Sequence, residues 1–443
     1  MADGSPVERP LLKDRYRRLN LALTDLYTTD TLLLAGSNPI PFDRVKFDRA
    51  LRRLFDEKGF SPDLLNTPEM REYIQETYNA LDGAISGSIS TETPEELTTA
   101  LRENAFIFSG FKSYHAMREA GLSLTNDDGT VKSWAEFRSD VQLVDKKYNV
   151  NYLYAEYNHA VHTSQMAVKW NDFMRDGDRY NLQYRTAGDD RVREAHAALD
   201  GVTLPPSDKF WDSYLPPNGW NCRCQAVQVL RDDYTQSDSA AAVAAGESCT
   251  SEPKQQMFRY NAGKRMTVFP PKHPYLPKGC GDCGKRVSFL WGKDNPTCRA
   301  CRGVVRHLVA YGRKVQFDKY RDEGIKPKQK QSSVYSSGII YFGTKDFKNL
   351  LWHCDNPTEL QVAVSFKKRL PTLTFMGTQP MKEKSNANKK RERGVQYYSV
   401  YQFKRKVRIN GEMVEKTFEL KCEVRDNGRH GIQDHPYCIR MLE

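Results

Sequence analysis

The sequence predicts an α+β protein of several domains, and three observations carry that expectation. Apolar residues recur at three- and four-residue steps through roughly the first 175 positions, the helical period; beyond Val334 they alternate in short runs, the strand period; between the two stand paired cysteines at metal-ligand spacing. At roughly 100–200 residues per domain, a chain of 443 residues has room for two to four.

Residues 1–149 are expected to be a helical N-terminal region. FDRALRRLF and MREYIQETYNAL carry the helical repeat. Ser61-Pro62, Thr67-Pro68-Glu69 and Thr93-Pro94-Glu95-Glu96 each put a capping residue before a proline, so each opens a new helix. The turn Asn126-Asp127-Asp128-Gly129 breaks the run, and a proline-free segment from Trp134 to about Met174 resumes it. Residues 150–232 read as a small α+β domain with strands in NLQYRT and QAVQVL, a short helix in DDRVREAHAAL, and a loop dense in proline and aromatic residues. Residues 233–257, small and polar, are expected to be a linker.

Residues 258–330 combine an extended, Pro-rich stretch, the paired cysteines and a basic amphipathic helix from Val304 to about Tyr320. Residues 331–443 are expected to form a basic, β-rich domain. SGIIYF, LQVAVSF, TLTF, QYYSVYQF, KVRI and KTFELKCEV supply its strands, 344–354 a helix, and Ile409-Asn410-Gly411-Glu412 a hairpin turn.

The net charge of +11 is unevenly distributed: residues 302–443 hold 29 Lys+Arg against 15 Asp+Glu, a balance of +14 that leaves −3 for the rest. Such asymmetry points to a polyanion contact in the last third, although a merely solvated basic face explains charge alone equally well. No apolar run approaches the ~18–20 residues of a membrane span, and the first thirty positions lack the apolar core of a signal peptide, so no membrane partner is expected.

Ten cysteines are too few for a disulfide scaffold in a chain of this length. Cys280-x2-Cys283 and Cys298-x2-Cys301 form two knuckles whose four thiolates can converge on one Zn²⁺, giving a closed structural site in a zinc-ribbon-like segment; four unligated thiols are the alternative. A second constellation spans Asp189, Asp190, Arg191, Arg193 and His196, followed by Asn221-Cys222-Arg223-Cys224. Three-residue spacing lets Asp190, Arg193 and His196 share a helical face. One imidazole and two thiols can hold metal, but cysteines one residue apart face opposite sides of a strand and reach one ion only if the chain turns there. Chemistry alone favours the other reading, an imidazole bonded to backbone with both thiols buried.

The stretch YNLQYRTAGDDRVREAHAALDGVTLPPSDKFWDSYLPPNGWNCRC resembles the signature of the phage Mu protein F-like family, minor head or head-morphogenesis proteins of tailed phages. Asp190, Arg193, His196, Gly201, Pro216, Pro217, Asn221, Cys222, Arg223 and Cys224 fill its places, with Tyr157-Asn158 and Gln165 ahead of them. The resemblance covers about residues 100–232. It implies a minor capsid protein active in head morphogenesis and associated with portal, capsid and scaffold proteins. The implied location is the capsid interior near the portal, and the host bacterial cytoplasm during assembly. No catalytic activity comes with the family domain, so its motif residues are expected to be structural or metal-linked.

The basic third lies outside that resemblance. Variable extensions of such proteins include some that resemble small metal-independent ribonuclease toxins, which makes a virion-delivered ribonuclease the alternative function, with His353, His430 and His435 as candidate catalytic groups. Lys367-Lys368-Arg369, Lys389-Lys390-Arg391 and Lys404-Arg405-Lys406, interleaved with Tyr397, Tyr398, Tyr401 and Phe403, supply charge and stacking faces for packaged DNA or host RNA.

Overall fold

Capping residues place the first helices where the sequence puts them. The computed structural model describes residues 40–126, 128–276, 299–323, 328–331, 339–366, 370–381, 387–409, 412–426, 428 and 431–442, with Leu23, Leu26 and Tyr27. The chain divides into two units, Met1–Arg286 and Val287–Glu443.

In the first unit, α1 (Arg44–Asp56) starts at Asp43, whose side chain accepts the Val45 N–H at 3.0 Å. Thr67 caps α2 (Pro68–Ser86), with Pro68 at the first position, where its missing N–H is harmless. Next come α3 (Glu95–Leu122) and α4 (Trp134–Asp140), the latter opened by a reciprocal capping box of Ser133 and Glu136. The chain then stays helical through Gln142–Asp145 and a π-helical Lys146–Tyr152 into α5 (Leu153–Asp176). No break falls at 149/150, where the sequence reading put a domain boundary.

A three-stranded antiparallel sheet follows, in the order β2-β1-β3, from β1 (Tyr180–Arg185), β2 (Thr203–Leu204) and β3 (Gln225–Leu230). Short helices α6 (Glu194–Ala197) and α7 (Phe210–Tyr214) fill its connections. Trp170 and Phe173 of α5 pack with Leu182, Tyr184, Leu199, Phe210 and Trp211 into one core.

Two expectations are corrected here. The supposed linker contains α8 (Ser239–Cys249), capped by Asp238, and its Ala242 and Cys249 belong to that core. Alanine favours helix, and small side chains let α8 lie close on the sheet domain. The supposedly extended stretch from Phe258 instead folds back through α9 (Ala262–Arg265) onto the helices. Phe269 stacks on Phe108 with ring centres 3.7 Å apart, and the Asn104 side chain accepts the Val268 and Phe269 N–H groups at 3.0 and 2.8 Å. Beneath it lies a fully buried ion pair between Lys112 and Glu156, joined by the Tyr27 hydroxyl, which donates to Glu156 at 2.6 Å.

The second unit has α10 (Arg299–Glu323) and a six-stranded sheet in the order β4-β5-β9-β8-β7-β6. The strands are β4 (Lys328–Gln331), β5 (Ile339–Phe342), β6 (Thr374–Pro380), β7 (Val395–Ile409), β8 (Glu412–Asp426) and β9 (Ile432–Met441). Only the β5–β9 pair is parallel. Helices α11 (Thr344–Trp352) and α12 (Pro357–Ser365) pack with Val309 of α10 against the sheet, and α13 (Ala387–Glu392) precedes β7.

LQVAVSF, read as a strand, lies in α12: Asn356 accepts the Glu359 N–H and Pro357 sits at the first position, so the cap outweighs the alternation. QYYSVYQF and KVRI form one continuous strand, β7, whose Ile409 pairs with Glu412 of β8. Among the described residues no helix is long and apolar enough to cross a membrane. Cys280, Cys283, Cys298 and the Cys301 side chain lie outside the described residues, so the four-cysteine zinc expectation falls there too.

Candidate functional site

β1 ends in a loop that turns at Gly188, with φ of 71° in the left-handed region. Backbone that is mostly turn runs from Gly188 to Arg193, and only Glu194–Ala197 is helical, so the single helical face expected for Asp190, Arg193 and His196 does not form. The loop is closed by Asp200, whose Oδ1 accepts the Thr186 N–H at 2.7 Å and its hydroxyl at 3.0 Å.

The second half of the site is the approach to β3. Asn221 adopts φ of 53°, a conformation asparagine tolerates better than most residues. Cys222 to Cys224 follow outside any strand, so the alternation that would send the two thiols apart does not apply. Both sulfurs face His196 Nδ1, at 3.5 Å for Cys222 and 3.6 Å for Cys224. The three ligand atoms lie within 4.8 Å of one another, and all three residues are buried. The chemical preference for a backbone-bonded imidazole is thereby corrected: the ring faces the sulfurs.

Two arginines brace the cluster. Arg223 makes a bidentate pair with Asp189, at 2.5 and 2.6 Å, which holds the Asp189 carboxyl well below its ordinary range. Arg193 donates to the Trp220 carbonyl at 2.5 Å, and its other terminal nitrogen lies 3.5 Å from His196 Nε2. A Cβ at Gly219 would stand 2.9 Å from that guanidinium, which accounts for the glycine. Asp190 is exposed and takes no part; its neighbour Asp189 supplies the carboxylate. Nothing in a paired acid says which member turns inward. Asn221 accepts a long 3.4 Å hydrogen bond from Asn158 on α5.

Burial opposes a charge on His196, yet its hydrogen bonds with Cys222 and Cys249 carry it up to about 9. Hydrogen bonds from Cys224 and His196 hold the Cys222 thiol well down, while the same contact with Cys222 and burial push Cys224 up. Three thiols and one imidazole around a dry pocket are the donor set zinc prefers, so these residues fit a metal that supplies structural cross-linking. Sequence reading missed Cys249: it lies twenty-five residues past Cys224 in a stretch with no periodic signal.

These are the geometric features of a recognisable segment. Residues 123–227 match the family described as Phage Mu protein F like protein. The segment belongs to that family. Seventy residues are 39% identical to "Putative capsid assembly protein F" of Escherichia phage Mu, over 16% of this chain and 16% of that protein. Fifty-five are 38% identical to the "Mu-like prophage FluMu F protein" of Haemophilus influenzae, over 12% of this chain and 13% of that protein. The aligned stretch therefore spans about a sixth or less of these relatives. No solved structure matches the chain. Within the Mu F-like segment fall Asp190, Arg193, His196, Asn221, Cys222, Arg223 and Cys224; Cys249 lies beyond it.

In the second unit the candidate groups are scattered. His435 Nδ1 lies 3.0 Å from Asp346, which also neighbours Arg425, and Arg425 in turn grips Glu423 at 2.6 Å. His353 packs its ring on Tyr437, centres 4.1 Å apart, and burial followed by Arg440 lowers its pKa. The two histidines thus serve different partners, and His430 lies outside the described residues.

Lys367, Lys368, Arg369 and the Lys389 side chain also lie outside them. Lys390 is buried against Tyr398 and Glu423, whereas Arg391, Lys404 and Lys406 are exposed and Arg405 half-buried. The interleaved aromatics are not stacking faces: Tyr401 and Phe403 sit in the core and Tyr398 is buried, because strand alternation drives such residues inward.

Proposed function

We propose that this chain is a minor capsid protein of a tailed phage or prophage that acts in head morphogenesis, bound to portal and capsid or scaffold proteins at the capsid interior. The observation that carries the reading is the Mu F-like segment at 123–227, shared with a protein named for capsid assembly. Its braced loop, with Arg223 locked to Asp189 and Arg193 to Trp220, presents a rigid surface of the kind an assembly contact needs. In this reading the near-neutral first unit makes the protein contacts, and the basic second unit lies towards packaged DNA, where exposed Arg391, Lys404 and Lys406 meet phosphate.

The test is co-expression with the portal, scaffold and capsid genes that neighbour it, followed by sedimentation of the shells. The chain should travel with shells at a few copies each, and with portal alone. A chain that stays at the top of the gradient overturns the reading. DNA binding by the basic unit should weaken steeply with salt, as counterion release requires.

A further inference from the structure

The Mu F-like segment offers three ligands for a metal, and a closed structural zinc site has four. Zinc bonds of about 2.3 Å to sulfur and about 2.05 Å to nitrogen, at the tetrahedral angle, set sulfur and nitrogen about 3.6 Å apart. His196 Nδ1 stands 3.5 and 3.6 Å from the sulfurs of Cys222 and Cys224. Hydrogen bonding accounts poorly for that symmetry. An imidazole nitrogen carries one hydrogen or one lone pair, which points along one line and cannot serve two sulfurs equally; an ion between them can.

The fourth group comes from outside the family match. Cys249, the last residue of α8, is 2% exposed and unpaired by disulfide, and its thiol also hydrogen-bonds the His196 ring. Cys222, Cys224 and Cys249 share one apolar cluster, with no described carboxylate in the ligand group to compete.

We propose that His196, Cys222, Cys224 and Cys249 bind one zinc ion tetrahedrally, through one ring nitrogen and three thiolates, with Cys249 closing the site. Two bonds come from the approach to β3, one from α6 and one from α8, so the ion ties three separate chain segments. Three thiolates against Zn²⁺ leave one negative charge, and the Arg193 and Arg223 guanidinium groups lie beside it. The role is structural: with four protein ligands no position is left for substrate. The inference is independent of the assembly reading, since metal content and shell binding are measured separately.

The experiment uses the full-length chain with Cys280, Cys283, Cys298 and Cys301 replaced by serine, which removes the other zinc candidates. After purification without chelator, one zinc per chain is expected, and X-ray absorption at the zinc edge should count three sulfur neighbours and one nitrogen. Adding Cys249→Ala should leave two sulfurs and weaken zinc about a hundredfold in chelator competition, as losing one of four ligands requires. A folded four-serine chain without zinc overturns the proposal. So does a parent with two sulfurs, or a Cys249→Ala chain with unchanged affinity. If the four-serine chain fails to fold, the wild-type chain and its Cys249→Ala variant are compared directly. One class of zinc should then be weakened about a hundredfold with any other unchanged, and identical titrations overturn the proposal.

Discussion

The two units bury polar groups in opposite ways. Around His196 there are more sulfur donors than a single ring nitrogen can satisfy, and the arrangement is completed only by something added from outside. Around Asp346 the accounts close internally: His435, Arg425 and the Gly343 N–H all meet its carboxylate, and Glu423 is shared by Arg425 and Lys390. A buried cluster that is satisfied by its own members stabilises a fold; one that converges on an empty centre describes a ligand. The difference separates a metal site from a structural network without appeal to residue type, since both contain a histidine.

Metal removal should break the comparison most strongly. Structural zinc contributes apparent free energies of about 10 kcal/mol or more, so a strong chelator should abolish hydrogen-exchange protection across β1–β3 and α8. The six-stranded sheet of the second unit should keep its protection. Equal loss in both units would mean that the distinction between the two clusters is false.

Asp346→Ala comes next. Removing one partner from a buried charged network strands the others, and about 3–5 kcal/mol should be lost from the second unit alone. Urea unfolding followed in that unit reads the effect directly. Zinc content should be untouched.

Much of this architecture is legible from local chemistry. Thr67-Pro68 and Pro94-Glu95-Glu96 mark helix starts because capping is decided within one turn. LQVAVSF misleads because its valines alternate, while the decisive Asn356-Pro357 cap lies just ahead of it. Asn221-Cys222-Arg223-Cys224 is conspicuous, yet its meaning turns on a left-handed residue that places both thiols on one side. Cys249 carries no local mark at all: what brings it to His196 is the docking of an alanine-rich helix, a tertiary event. The Tyr397–Phe403 run shows the converse error, in which a core pattern imitates a binding surface.

A pH test sharpens the contrast with smaller effect. His115 and His159 are buried in the first unit, and burial holds them down to about 4 and about 3. Unfolded, both take up protons near the ordinary value of about 6.5, so the unfolded state binds more protons at mildly acid pH. Their contribution is complete above that value and declines as pH falls towards 4. Between pH 7 and 5.5 the loss should be about 2 kcal/mol for the pair, read as a falling urea midpoint of the first unit. A midpoint that rises would reverse the assignment of neutral buried rings.

The smallest effect is the most specific. Gly246 lies on α8 three residues before Cys249, and a Cβ there would meet three ring atoms of Tyr214 at 2.7 Å. Tyr214 is 4% exposed and packed against Phe210, so its ring has little room to swing away and the helix must give instead. Gly246→Ala gains helix propensity of about 1 kcal/mol but overpacks the contact by about 1–3 kcal/mol, a net loss near 1 kcal/mol. The displacement also carries the Cys249 sulfur away from His196. Zinc affinity should therefore fall further than stability does, and Tyr214→Leu in the same chain should recover part of both by vacating the ring's space. If stability falls while zinc affinity holds, α8 packs on the sheet domain without supplying a ligand, and the cluster around His196 closes by some other means.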